Sequence, residues 1–249
     1  MHKFSLGRLG LFFLIFPILY ACSNSEPAAI EPTPNEEPIM EFRSMSLDSG
    51  TQLHYGLVLP ANFDAQQTYP ILLLLPPGGQ TRDMVDAGFS FFANGAIENG
   101  WIILSPIAPD GVLFFQGSEA LIPEFLSKTA EEFQPEGGKY HIAGISNGGI
   151  SAFRIATGNA DLVHSVLALP GFPRGEDKNK LNLLVNIPVT MFVGELDEGW
   201  VGAMQDTETS LNELGGDASL QVMAGEGHVI QSLGDGVALY ELLESFREK

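Results

Sequence analysis

Tyr140-His141-Ile142-Ala143-Gly144-Ile145-Ser146-Asn147-Gly148-Gly149 is the stretch whose reading decides the rest of the chain. Tyr140-Ala143 has the pattern of a short buried strand, and Gly148-Thr157 that of a helix. Between them Ser146 stands on a sharp strand-to-helix turn, a place where a serine hydroxyl can project clear of a sheet. Bulky side chains two residues before and two after would collide across such a turn, which accounts for Gly144 and Gly148. The helix directs its N-terminal N–H groups at any negative charge developing beside the hydroxyl, and the Asn147 N–H would be one donor. A glycine-rich turn without chemistry would carry the same letters, so partners elsewhere in the chain must decide.

Outward from this turn, short apolar runs alternate with longer amphipathic ones, the pattern of βα units around a mostly parallel sheet. Glu41-Leu47 and Gln52-Leu59 read as an opening antiparallel pair. Ile71-Leu75 is an unbroken apolar run with Pro and Gly after it, as a strand buried on both faces requires. Trp101-Ser105, Tyr140-Ala143, Ser165-Leu169, Val189-Val193 and Leu220-Met223 fit the same description. Asp83-Glu98, Glu119-Phe133, Gly148-Thr157, Ala203-Leu214 and Leu233-Arg247 read as the helices between them. The sum is one α/β domain over 41–249: an eight-stranded, mostly parallel sheet with helices on both faces. In such sheets ligands bind beyond the carboxyl ends of the strands. Gly171-Asn186 is too short for a large lid domain, so an open site is expected.

A serine hydroxyl is a poor nucleophile unless a base takes its proton and a carboxylate orients that base. In this architecture the chain order is Ser, then Asp or Glu, then His. Downstream of Ser146 the histidines are His164 and His228. His164 falls at the start of a strand, on the amino-terminal edge of the sheet. His228, in Gly225-Glu226-Gly227-His228, lies past the last strand, where its loop overhangs the carboxyl edge. The acid is placed at Asp197, in Val193-Gly194-Glu195-Leu196-Asp197-Glu198-Gly199-Trp200, with Glu195 and Glu198 open as alternatives. A second donor to an oxyanion should come from the loop after the third strand, Pro76-Pro77-Gly78-Gly79-Gln80. Gly78 is the first choice and Gly79 the second, because a backbone N–H can approach a substrate oxygen there unhindered. His2, His54 and His141 read as signal or strand residues. No spacing of His, Cys or acidic residues suggests a metal site, and no cofactor is expected.

The amino terminus carries a different signal. Lys3 and Arg8 precede or flank an apolar run from Leu9 to Tyr20, too short to span a bilayer and of the form of a secretory signal peptide. It ends at Leu19-Tyr20-Ala21-Cys22, and Cys22 is the sole cysteine, so no disulfide and no catalytic thiol are available. Ser23 to Pro38 alternates prolines with glutamates, the composition of a solvated tether. In a polyproline-like form it would reach roughly 50 Å at about 3.1 Å per residue. The formal charge of −19 repels phosphate backbones and anionic headgroups, which argues against nucleic-acid binding.

Four stretches carry a resemblance. Leu72-Leu73-Leu74-Leu75-Pro76-Pro77-Gly78-Gly79-Gln80, Gly144-Ile145-Ser146-Asn147-Gly148-Gly149, Gly194-Glu195-Leu196-Asp197 and Gly225-Glu226-Gly227-His228 together resemble the α/β-hydrolase superfamily from about Arg43 to the end. Within it the chain is similar to bacterial feruloyl esterases and polyhydroxybutyrate depolymerases. Those relatives usually begin the loop after the third strand with His-Gly, where this chain has Pro76-Pro77. Residues 19–22 resemble a bacterial lipobox, with Tyr20 where a small or β-branched residue is commoner. That resemblance implies cleavage before Cys22, its acylation, and export to the cell envelope on a lipid anchor. The superfamily resemblance implies a carboxylic ester hydrolase using Ser146, Asp197 and His228 on a small or polymer-borne ester. A peptidase of the prolyl-oligopeptidase type would use the same machinery. A surface-binding protein on a retired hydrolase scaffold would not need the three side chains in order.

Overall fold

The structure is a computed structural model and describes residues 1–2 and 35–247. The expected signal peptide, Cys22 and most of the tether therefore lie outside the described residues. The elements are β1 (Ile39–Ser46), β2 (Gln52–Leu59), β3 (Ile71–Leu75), α1 (Arg82–Asn99), β4 (Ile102–Pro106), α2 (Ile122–Thr129), β5 (Tyr140–Gly144), α3 (Asn147–Gly158), β6 (Val163–Ala168), β7 (Val189–Gly194), α4 (Glu198–Glu213), β8 (Ala218–Met223) and α5 (Val237–Arg247). A two-residue pair, Thr68–Tyr69 with Gln134–Pro135, stands apart from the main sheet. The eight strands lie in the order β1-β2-β4-β3-β5-β6-β7-β8. β2 is antiparallel to both β1 and β4, and the pairs from β4 through β8 are parallel.

β3 shows why the sheet sits where it does. Leucine favours helices by intrinsic propensity, yet Pro70 and Pro76 confine Ile71–Leu75 to a run too short for one. All five residues are buried. Strand alternation sends Ile71, Leu73 and Leu75 to one face, against Phe125, Phe153 and Met204 of α2, α3 and α4. Leu72 and Leu74 go to the other, against Val85, Phe92, Tyr240 and Leu243 of α1 and α5. Each buried leucine contributes about 1.5–3 kcal/mol over exposure, so this central strand fixes both layers at once.

Several boundaries differ from those read in the sequence, and four of them have a local reason. β1 starts at Ile39 rather than Glu41, because Ile39 pairs with Leu59 and extends the ladder. α2 is confined to Ile122–Thr129, with a 3-10 turn over Ser118–Leu121 before it and Pro123 setting its first turn. α4 begins at Glu198 rather than Ala203: Asp197 stands at its N-cap, and Gly199 and Gly202 lie inside it. α5 begins at Val237 rather than Leu233, after a 3-10 turn over Gln231–Leu233 and Gly236 at φ 76°. The insertion Gly171-Asn186 contains a 3-10 run over Gly175–Leu184, with Leu181 and Leu184 buried in the core. Among the described residues no helix is long and apolar enough to cross a membrane.

Candidate active site

Ser146 sits between the last residue of β5 and the first turn of α3 at φ 57°, ψ −117°, a conformation non-glycine residues rarely adopt. Close approach explains the flanking glycines in atomic terms. A Cβ on Gly144 would lie 2.1 Å from the Gly148 carbonyl oxygen, and one on Gly148 would lie 2.0 Å from that of Leu75. The strain is held by burial on both sides and by hydrogen bonds from the Ile145 and Ser146 N–H groups to Leu75 O and Leu169 O, each 3.3 Å.

His228 and Asp197 arrive at the same rim from two other strands. One imidazole spans both partners: Nε2 lies 2.8 Å from Ser146 Oγ and Nδ1 lies 2.6 Å from Asp197 Oδ2. The side chain of His228 is 40% exposed and that of Asp197 15%, so the acid is shielded while the imidazole remains reachable. Asp197 occupies the N-cap of α4 without a side-chain capping bond; its carboxylate is turned to His228 instead. The alternative acids stand elsewhere. Glu195 Oε2 accepts the Gly225 N–H at 2.8 Å, and Glu198 lies exposed in the first turn of α4.

The acid and histidine loops are laced together. The Leu196 N–H donates to Glu226 O at 2.9 Å, alongside the Glu195–Gly225 bond. Glu226 accepts from the Gln231 and Ser232 N–H groups at 2.5 and 3.1 Å; hydrogen bonding from the Ser232 side chain foremost, then from these two N–H groups, holds its carboxyl below the usual carboxylate range. Gly194 permits the approach: a Cβ there would meet the Gly227 oxygen at 2.1 Å.

The Pro76-Gln80 loop is clamped to α3. Asn147 Nδ2 donates to Gly78 O at 2.9 Å, and Gln80 Nε2 donates to Ser151 Oγ at 2.9 Å. Gln80 is fully buried at φ 52°, and its Oε1 accepts the Phe114 N–H at 2.8 Å. Its main-chain N–H closes a turn on Pro77 O at 2.9 Å, so Pro77 shapes the loop through its carbonyl. The roles of Gln80, Ser151 and Gly194 were not read from the sequence, because nothing in its periodicity marks which carbonyl each will face.

An aromatic wall closes one side. Trp200 lies edge-on to His228 with centroids 5.0 Å apart, and Phe172 packs on Trp200 at 5.1 Å. Phe114 is core, whereas Phe115 is half-buried with the Arg174 guanidinium 6.0 Å from its ring centre. Beneath the insertion, Arg154 of α3 bonds the buried Asp177 at 2.7 Å and reaches Glu119 at 3.4 Å. His164 is remote from this rim: its Nε2 bonds Phe246 O at 2.9 Å at the opposite edge.

No family model and no curated protein sequence matches the chain. Solved structures do match. A thermostable esterase is similar at 18% identity and a TM-score of 0.67, over 84% of this chain and 62% of that one. The chain thus spans about three fifths of that esterase's length. A ferulic acid esterase is similar at 18% identity and TM-score 0.67, over 85% of this chain and 98% of the other. An S-formylglutathione hydrolase from Agrobacterium tumefaciens is similar at 14% identity and TM-score 0.68, over 87% and 98%. Identities this low carry architecture and not substrate. With its strand order and its helices on both faces, the chain has the α/β-hydrolase fold.

Proposed function

We propose that the protein is a serine hydrolase that cleaves carboxylic esters through an acyl-enzyme. The observation that carries this reading is the single imidazole of His228 bonded at once to Ser146 Oγ and to Asp197 Oδ2, at 2.8 and 2.6 Å. A carboxylate on Nδ1 favours the tautomer with its proton there, which leaves Nε2 free to accept. Ser146 Oγ attacks the acyl carbon and its proton passes to His228 Nε2. The oxyanion is held by the Asn147 N–H and a second N–H from Gly78 or Gly79. His228 then gives its proton to the departing alkoxide, leaving the acyl group on Ser146. Water repeats the sequence, its proton passing to His228 and on to Ser146 as the acid leaves. Gly78 remains the first choice of donor. In a trans peptide the N–H points opposite to the C=O, so the Asn147–Gly78 bond turns the Gly79 N–H away from the Asn147 amide. The esterases among the similar folds support the ester reading without fixing an acyl or alcohol group.

The test compares the purified protein with Ser146→Ala on a short p-nitrophenyl ester and on a fluorophosphonate probe. Loss of labelling and a fall in kcat of about 10⁶-fold are expected; equal rates would end the proposal. Turnover of acyl-peptide amides but not esters would assign a peptidase instead. On the sequence alone, Cys22 is further proposed to be acylated, holding the exported domain at a membrane of the bacterial envelope. Cys22→Ala should then move the protein from the membrane to the soluble fraction.

A further inference from the structure

A recess of about 420 Å³ is lined by Phe42, Arg43, Ser44, His54, Arg82 and Ile107. It lies on the same edge of the sheet as Ser146. Arg82 follows β3 and Ile107 follows β4, both at carboxyl ends of strands parallel to β5. Strand pairing lays its floor: Ser44 is opposite His54 and Phe42 opposite Gly56, so these side chains share one face of the sheet. A Cβ on Gly56 would meet Val85 and Phe89 at 2.6 and 2.7 Å, which makes this the face that α1 covers.

Charge in the recess is unusual for a chain of net −19. Arg43 alternates to the opposite face, where Glu41 at 2.6 Å and Glu132 at 2.8 Å offset its guanidinium. Arg82, the first residue of α1, has no carboxylate partner among the described residues and lies over the Phe42 ring, 3.7 Å from its centre. Among the described residues no hydrogen bond or ion pair engages its N–H groups, so they can meet a carboxylate while the cation rests against the ring. The Ser44 hydroxyl and the His54 ring nitrogens add further hydrogen-bonding groups. The volume is within the range of small organic ligands and exceeds what a bare carboxylate fills.

We propose that this recess binds a hydroxylated organic carboxylate of the uronic acid type, with Arg82 taking the carboxylate and Ser44 and His54 meeting hydroxyls. One uncompensated positive charge matches one carboxylate. Arg82 follows Gly78 by so few residues that the two are within roughly 14 Å, so one substrate can fill the recess and present an ester at Ser146. The binding role stands whether or not Ser146 is a nucleophile.

Calorimetric titration of the purified protein with D-galacturonate, D-galactose and inorganic phosphate tests it. Galacturonate should saturate one site at least tenfold more tightly than galactose or phosphate. Arg82→Gln should weaken that binding at least tenfold, and Arg82→Lys, which keeps the charge without the fork, should weaken it less. Galacturonate binding no tighter than galactose, phosphate binding as tight as galacturonate, or an unchanged Arg82→Gln overturns the proposal. Because no hydrolysis is read, a protein inactive on esters that still binds galacturonate separates this inference from the catalytic one.

Discussion

His228 and His141 each hold a serine hydroxyl at 2.8 Å, His228 through Nε2 to Ser146 and His141 through Nδ1 to Ser165. They stand at opposite ends of β5, the first above its carboxyl end and the second on its second residue. His141 is 4% exposed, with its ring between Trp101 at 4.7 Å and His164 at 4.6 Å. Burial, aided by the charges of His164 and Arg247, pushes it down to about 3. Among the described residues no carboxylate bonds its other nitrogen, whereas Asp197 bonds that of His228. A serine–histidine bond of good length is therefore not a sign of nucleophilic chemistry by itself. Access for substrate and an anion to orient the imidazole make the difference.

The sharpest way to break that contrast is to remove each serine. Ser146→Ala should lower kcat for a p-nitrophenyl ester by about 10⁶-fold and leave stability nearly unchanged. Ser165→Ala should leave kcat within a few-fold and lower unfolding free energy by about 1–3 kcal/mol, because it strands a buried ring nitrogen. Rate assays and urea denaturation of both proteins check the pair, and a rate collapse in Ser165→Ala would erase the distinction.

The next largest effect tests the anion. Asp197→Asn keeps the shape of the acid but favours the wrong tautomer of His228, and kcat should fall by about 10⁴-fold. Glu195→Gln, whose parent bonds the Gly225 N–H, should change kcat only a few-fold. A larger loss for Glu195→Gln than for Asp197→Asn would transfer the role of acid to Glu195.

Much of this is legible in the sequence. Apolar runs ending in Gly or Pro gave the strands, and their alternation with helices gave the layers, because burial on both faces leaves that mark in the residues themselves. The order of Ser146, Asp197 and His228 after three strands told which side chains would stand near one another at one edge. What stayed hidden depends on contacts between distant segments. Gln80 reads as a polar loop residue until Ser151 and the Phe114 N–H surround it. Gly199 and Gly202 read as loop because glycine is a weak helix former, yet α4 runs through both from the Asp197 N-cap. Trp200 gave no hint that it would pack on His228.

Acid should act on stability through the buried histidine. The folded state holds His141 down at about 3, below the ordinary imidazole value of 6.5, so between those values the unfolded chain binds the extra proton. Stability from this group is complete above about 6.5 and is lost as pH falls towards 3, at up to about 1.4 kcal/mol per pH unit. Urea midpoints at pH 7, 6 and 5 should fall more steeply for the wild type than for His141→Gln. Parallel falls in the two proteins would assign the acid sensitivity to other groups.

The smallest effect separates the two serines by what surrounds their oxygen rather than their histidine. Ser146 is followed by a helix N-terminus and faces the Pro76-Gln80 loop, whereas Ser165 lies inside β6. If the peptide after Gly78 is held in place by the Asn147 side chain, that side chain is a positioning residue for the N–H donors and not a reacting group. Asn147→Ala keeps its own backbone N–H and loses only the clamp. A fall in kcat of about tenfold with KM unchanged is expected, less than the 10²–10³-fold cost of deleting a donor outright. Asn147→Asp, which cannot donate to the Gly78 carbonyl and adds charge beside the oxyanion, should fall further than Asn147→Ala. A rise in KM at constant kcat would instead make the clamp part of ground-state binding, and the geometry of the loop would then not distinguish Ser146 from Ser165.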